Sequence, residues 1–181
     1  MLCGKDHPAG AGNCSRAAWL DQTAAGFHQD PLRKVIHRLK YKGELGQGDA
    51  LADLLMEAVA GGDINVELII PVPLARRRER ERGYNQAGLL ARPLAYALGL
   101  PYRPKALRRV REMDSQVGKS LGERRKNVSG AFAARQKTVA GQRVLLVDDV
   151  LTTGATLDAA AEALKMAGAV YTAAVVVSRA P

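Results

Sequence analysis

Val144-Leu145-Leu146-Val147-Asp148-Asp149-Val150-Leu151-Thr152-Thr153-Gly154-Ala155-Thr156 is the stretch on which the reading of this chain turns. Its first four residues, all apolar, predict a strand buried on both faces. Two carboxylates follow, then a small, hydroxyl-rich turn containing Gly154. Beyond it Leu157, Ala160, Ala161 and Leu164 recur at i, i+3, i+4 and i+7, the period of an amphipathic helix. A strand that runs straight into a helix sets the turn at the carboxyl edge of a sheet, where open α/β folds bind ligands.

The turn has a definite chemistry. The first N–H groups of the following helix lack intrahelical acceptors, and the helix dipole favours an anion there. Thr152, Thr153 and Thr156 add hydroxyl donors, and Gly154 lets a phosphate approach the backbone. Asp148 and Asp149 would repel that phosphate unless ribose hydroxyls, a bridging Mg2+, or both stand between them. A ligand with a phosphate at one end and a diol beside it satisfies both halves: a phosphoribosyl group. The plainer reading is a solvated Asp pair with Thr153 as an ordinary N-cap, but a cap needs one hydroxyl residue and no paired carboxylates.

Composition sets the frame. The chain has 181 residues, 47% hydrophobic and 25% charged, which suits one soluble globular domain with a real core. Neither apolar run, Val144–Val147 nor Ala173–Val177, approaches the roughly 20 residues that span a bilayer. Met1 to Gly10 lacks the apolar segment of a secretory signal, so no membrane insertion and a cytoplasmic location are expected. The net charge of +9 invites a polyanionic partner, and its basic residues cluster at Arg76–Arg82, Arg103–Arg111 and Arg124–Lys126. Few aromatics accompany them, which argues against the stacking platforms of single-strand binders.

Outward from the signature, Cys3, His7 and Cys14 open the chain without a CxxC pair; a zinc site there would need a further ligand such as His28. Asp30 and Pro31 predict the start of a helix with Leu32, Val35, Ile36 and Leu39 inward, stopped at Gly43. A second helix is predicted over 44–60, with Leu51, Leu54, Leu55 and Val59 inward. Val66–Ile70 reads as the first buried strand, leaving the sheet at Pro71 because two prolines do not fit a central ladder. The block Arg76–Arg82 puts five arginines in seven residues and reads as a loop whose guanidinium forks, Arg76 among them, clamp a pyrophosphate. A helix over 85–98 should be kinked by Pro93. Tyr102–Val110 could be a strand, and 111–131 has the polar, aperiodic look of an active-site lid. Ala131–Ala134 is predicted to pair with Arg143–Val147 across Gly141, and Val170–Ser178 forms a last strand. Strands alternating with helices predict an α/β fold with a mostly parallel central sheet flanked by helices.

Val144–Thr156 resembles the phosphoribosyl-pyrophosphate (PRPP) signature of type I phosphoribosyltransferases. The resemblance implies that Asp148 and Asp149 hold the ribose hydroxyls and Mg2+, directly or through water or PRPP. It implies that Thr152, Thr153, Gly154, Ala155 and Thr156 hold the 5′-phosphate. Purine-salvage members often carry an acid where this chain has Thr152, so the usual base for the acceptor is missing. With the blocks Leu32–Gly43, Val72–Gln86 and Gln116–Phe132, the chain from 27 to 181 is similar to the ComF/GntX family, named for a competence factor in DNA uptake. That similarity implies a pyrophosphate loop of Pro71, Val72, Pro73 and Leu74, with Arg76 beside it, and a small hood formed by Arg111, Gln116, Arg124 and Asn127. Met113 and Lys119 depart from the residues usual in the lid. Residues 1–26 would be an arm, the remnant of a four-cysteine zinc ribbon of which only Cys3 and Cys14 remain, so Mg2+ and not zinc is the expected metal. The implied function is transfer of phosphoribosyl from Mg-PRPP to an unidentified acceptor with release of pyrophosphate. The alternative is a non-catalytic PRPP- or nucleotide-binding partner in DNA uptake, meeting competence proteins or single-stranded DNA.

Overall fold

The computed structural model describes residues 20–61, 64–111 and 130–180. In chain order it places β1 (Leu20–Phe27), α1 (Leu32–Tyr41), α2 (Gln47–Ala60), β2 (Leu68–Pro71), α3 (Arg76–Arg82) and α4 (Gln86–Ala97). Then come β3 (Leu107–Arg109), β4 (Phe132–Ala134), α5 (Gln136–Val139), β5 (Arg143–Leu151), α6 (Ala155–Met166) and β6 (Tyr171–Arg179). Strands β1, β6, β5 and β2 lie in that order in one parallel sheet, and β3 pairs antiparallel with β4 in a separate ribbon. This is the expected α/β architecture, a parallel central sheet flanked by helices.

Alternation along β5 decides how the layers pack. Val144 and Leu146 share one core with Ile70, Ala174, Val176, Phe132 and the α6 residues Leu157, Ala160, Ala161 and Leu164. Leu145 and Val147 point the other way, into a second core with Ile36, Leu39, Leu51, Leu55, Leu90 and Leu94 from α1, α2 and α4. Both faces of the strand are buried, which is why it reads as an unbroken apolar run. The alanines of α6 and of β6 (Ala173, Ala174) leave room for helix and sheet to close on each other.

Several expectations are corrected. The Arg76–Arg82 block is a helix, not a loop: Arg and Glu are good helix formers, Arg77 pairs with Glu81 at 2.8 Å one turn on, and Gly83 ends it in the left-handed conformation (φ 82°). Strand β4 pairs with β3 rather than with β5, because α5 intervenes and Arg135 N–H already bonds Ala106 O. Leu54 is 38% exposed instead of inward. Asp30 does not cap α1 by its side chain; it pairs with Lys34 (2.9 Å) and Arg33. Strand β2 runs on to Pro71. Ile69 N–H and C=O bond Pro101 and Arg103, so Pro71, two residues on, turns its missing donor to that side and the β5 ladder loses nothing. Strand β1 begins at Leu20 and pairs with β6, so the stretch from 20 to 26, assigned to the arm on sequence, lies in the main sheet.

Candidate functional site

The site is built at the carboxyl edge of β5 and β2. Pro71, the last residue of β2, pairs with Val147, and Val72 N–H still bonds Val147 O at 2.9 Å. Asp148 and Asp149 therefore emerge just past the end of β2, while β6 continues beside them to the Leu151–Arg179 pair. The doublet is bordered by strand on one side and open toward the Val72–Leu74 loop on the other.

Alternation sends the two carboxylates to opposite faces. Asp149, 4% exposed, follows Leu145 and Val147 toward α1, where Lys40 Nζ lies 3.0 Å from its Oδ2. Asp148 follows Val144 and Leu146 toward the β3–β4 ribbon, within the field of Arg109, whose guanidinium sits 5.3 Å over the Phe132 ring. Its Oδ1 accepts the Asp149 N–H at 2.8 Å. Desolvation first, and the neighbouring Asp149 charge second, push the Asp148 carboxyl up to about 7; the Asp149 amide, Lys40 and Arg109 oppose that rise.

After Leu151 the chain turns through Thr152 and Thr153, both exposed, and Gly154, which takes φ 78°. Helix α6 begins at Ala155, whose N–H approaches Thr153 Oγ1 at 3.5 Å, and Asp158 N–H closes the first turn on Gly154 O at 2.9 Å. The turn thus presents the first amides of a twelve-residue helix beside two exposed hydroxyls, a geometry suited to an anion.

The loop on the other side is tied down by Asn85. Its Oδ1 caps α4 by accepting Ala87 N–H (3.1 Å), and its Nδ2 donates to Val72 O (3.0 Å). Tyr84 donates its hydroxyl to Leu39 O, joining this segment to α1. Between α1 and α3 opens a cavity of about 470 Å3 lined by Lys40, Tyr41, Leu74, Arg78, Arg82 and Tyr84, among others. Of the arginine block, Arg78 and Arg82 reach this cavity; Arg76, the expected clamp, is exposed at the start of α3 and does not line it. Arg111 is exposed after β3, its N–H near Ala131 O (3.4 Å). Gln116, Arg124 and Asn127 of the expected hood, and Cys3 and Cys14, lie outside the described residues. His28 holds Ser178 Oγ with its Nδ1 at 2.9 Å.

Among the described residues no group of three or more His, Cys, Asp or Glu side chains could hold a metal. The two carboxylates leave β5 on opposite faces and do not converge on one ion, but Mg2+ needs only one carboxylate when substrate phosphates and water complete its shell, and Asp149 can supply it. Lys40 went unremarked on sequence, where it reads as the end of a helix. The available signal was its place four residues after Ile36, on the buried stripe.

Residues 83–180 match the phosphoribosyl transferase domain family. The chain is 36% identical over 166 residues to competence protein F of Haemophilus influenzae, covering 87% of this chain and 72% of that protein. It is 35% identical over 156 residues to the DNA utilization protein YhgH of Salmonella typhimurium, covering 83% and 68%. Competence protein ComFC of Bacillus subtilis is 28% identical over 138 residues, covering 76% and 55%. The phosphoribosyl transferase domain defines the class, and within it the chain belongs to the ComF family. Among solved structures, an adenine phosphoribosyltransferase aligns at 20% identity over 80% of this chain and 74% of that one, with a TM-score of 0.46. No helix among the described residues is long and apolar enough to cross a membrane.

Proposed function

We propose that the protein binds Mg-PRPP and transfers its phosphoribosyl group to an acceptor, releasing pyrophosphate. The observation that carries this reading is the pairing of a buried carboxylate, Asp149, with an adjacent phosphate-ready turn, the carboxylate being joined through Lys40 to a cavity that Arg78 and Arg82 also line. In this reading the 5′-phosphate sits on Thr152–Thr156, and the ribose hydroxyls donate to Asp148 and Asp149. The pyrophosphate lies along Val72–Leu74, in reach of Arg78 and Arg82 rather than Arg76. Bound Mg2+ would neutralise the pyrophosphate and make it a better leaving group. As the C1–O bond breaks, the ribose ring gains oxocarbenium character; the two carboxylates hold it in place, and the arginines stabilise the departing charge. Residues Arg111, Gln116, Arg124 and Asn127 would form the hood, and a reaction drawing on PRPP is read as cytoplasmic.

The second reading is a non-catalytic, PRPP- or nucleotide-binding partner in DNA uptake, meeting competence proteins or single-stranded DNA. The names of the relatives favour it, and so does Thr152, which cannot serve as a base near neutral pH. A screen for pyrophosphate release from PRPP and Mg2+ across nitrogenous acceptors separates the two. Release that stops with Asp149→Asn supports the enzyme. PRPP binding with no release from a broad panel supports the partner, and calorimetry with no heat from Mg-PRPP or from nucleotides sinks both.

A further inference from the structure

Lys40 does more than the roles above require. It is the penultimate residue of α1, on the helix face turned to the sheet, and its side chain is only 21% exposed. Its ammonium meets Asp149 Oδ2 at 3.0 Å, yet that oxygen, fully buried, has no hydrogen-bond donor at good angle. The contact is an ion pair without a directional bond. Lys40 also forms part of the wall of the cavity beside Leu74, Arg78 and Arg82, and of a second hollow of about 600 Å3 with His28, Arg33 and His37. A lysine carries its charge on a flexible four-carbon stem, so rotation about its outer bonds can carry Nζ from the carboxylate into the first cavity.

We propose that Lys40 is a counter-ion exchanged when the site loads: it neutralises Asp149 in the empty protein and turns to the pyrophosphate group when a divalent cation holds that carboxylate. The inference rests on the PRPP reading and adds a residue to it. Two adjacent carboxylates, one 4% exposed, need positive charge nearby whether or not a ligand is bound. A doubly charged ion on the same oxygens repels an ammonium about 3 Å from them. Arg82 is held by Gln86 (2.6 Å) and by the Tyr41 ring, and Arg78 lines the cavity with no contact to the doublet, so Lys40 is the cation of that wall that also meets Asp149. Lys40 is thus a positioning residue for Asp149 in one state and an anion ligand in the other.

The exchange predicts opposite signs for two ligands. In Lys40→Met, Mg2+ alone, titrated calorimetrically, should bind roughly threefold tighter or more, because its competitor is gone. Inorganic pyrophosphate with saturating Mg2+ should bind about tenfold more weakly, because a charge-assisted bond is lost. Lys40→Arg should recover much of the pyrophosphate affinity. Lys40→Gln, which keeps a donor for Asp149, serves as a second neutral variant if the methionine protein is poorly folded. A purely structural lysine would weaken both ligands together, and that result, or no change in either, overturns the proposal. Wild-type protein that binds neither Mg2+ nor pyrophosphate overturns the PRPP reading and this inference with it. Normal wild-type binding with unchanged variants overturns the Lys40 role alone.

Discussion

Asp148 and Asp149 are adjacent in sequence and occupy different electrostatic worlds, because one step along a strand changes the face. Asp149 has Lys40 as its cation. Asp148 is desolvated beside a like charge, and its carboxyl rises to about 7. A carboxyl raised above its unfolded value of 3.8 holds its proton longer in the folded state. Its contribution to stability is therefore fully present below pH 3.8 and is lost as pH climbs through 7. Asp148→Asn keeps an oxygen for the Asp149 amide and removes the titration. Its melting temperature should exceed that of the wild type at pH 8, with the gap closing toward pH 5; a gap that stays constant with pH would contradict the assignment. Asn85 makes a different kind of test, since one side chain caps α4 and tethers Val72. Asn85→Ala should cost about 2 kcal/mol in urea unfolding, a cap plus a side-chain hydrogen bond. It should also weaken pyrophosphate binding, by loosening the loop.

At the scale of elements, the β5–turn–α6 unit was legible because each part carries its own signal: an apolar run buried on both faces, a glycine, then a 3.6-residue stripe. Gly154 at φ 78° is where that unit is most constrained. Gly154→Ala should lose about 1–2 kcal/mol for a left-handed Cβ, and PRPP affinity should fall in the same protein because the α6 amides are re-aimed. Calorimetry finding unaltered affinity would mean the turn does not hold the phosphate. Helix α3 escaped the sequence because it has no apolar stripe to betray it; local Arg–Glu pairing and a glycine cap hold it instead. The β3–β4 pairing escaped for the opposite reason. Strands of three residues carry almost no pattern, and what fixes their partner is burial of Leu107 and Phe132 against α6, a tertiary fact. The same limit applies to the site. The doublet and the threonine turn are contiguous and could be read, whereas Lys40 lies more than a hundred residues from Asp149 in the chain and was visible only as a lysine on a buried stripe.

The whole molecule is a sheet whose ligand edge and whose outer boundary are set by the same strand pairings. β6 lies between β5, which carries the doublet, and β1, the outermost strand on that side among the described residues. Its residues Thr172–Ser178 are buried, and Ser178 is also held by His28 just after β1. If β1 were absent, β6 would become a long, flat, valine-rich edge with unpaired backbone groups, the kind of strand that recruits other chains. A chain begun at residue 20 keeps β1, while one begun at 28 deletes it, although both retain the family-matched segment 83–180. The longer one should be monodisperse by gel filtration and give a cooperative thermal transition. The shorter should aggregate or melt at least ten degrees lower, as expected for the loss of several kcal/mol from a domain of this size. Equal behaviour of the two would return the boundary to residue 27 and show that β6 needs no neighbour on that side. The comparison also bears on function. Asp148 and Asp149 extend past β2, and among the described strands only β6 pairs beside them, so a β6 that frays should lose Mg-PRPP binding before the rest of the sheet unfolds.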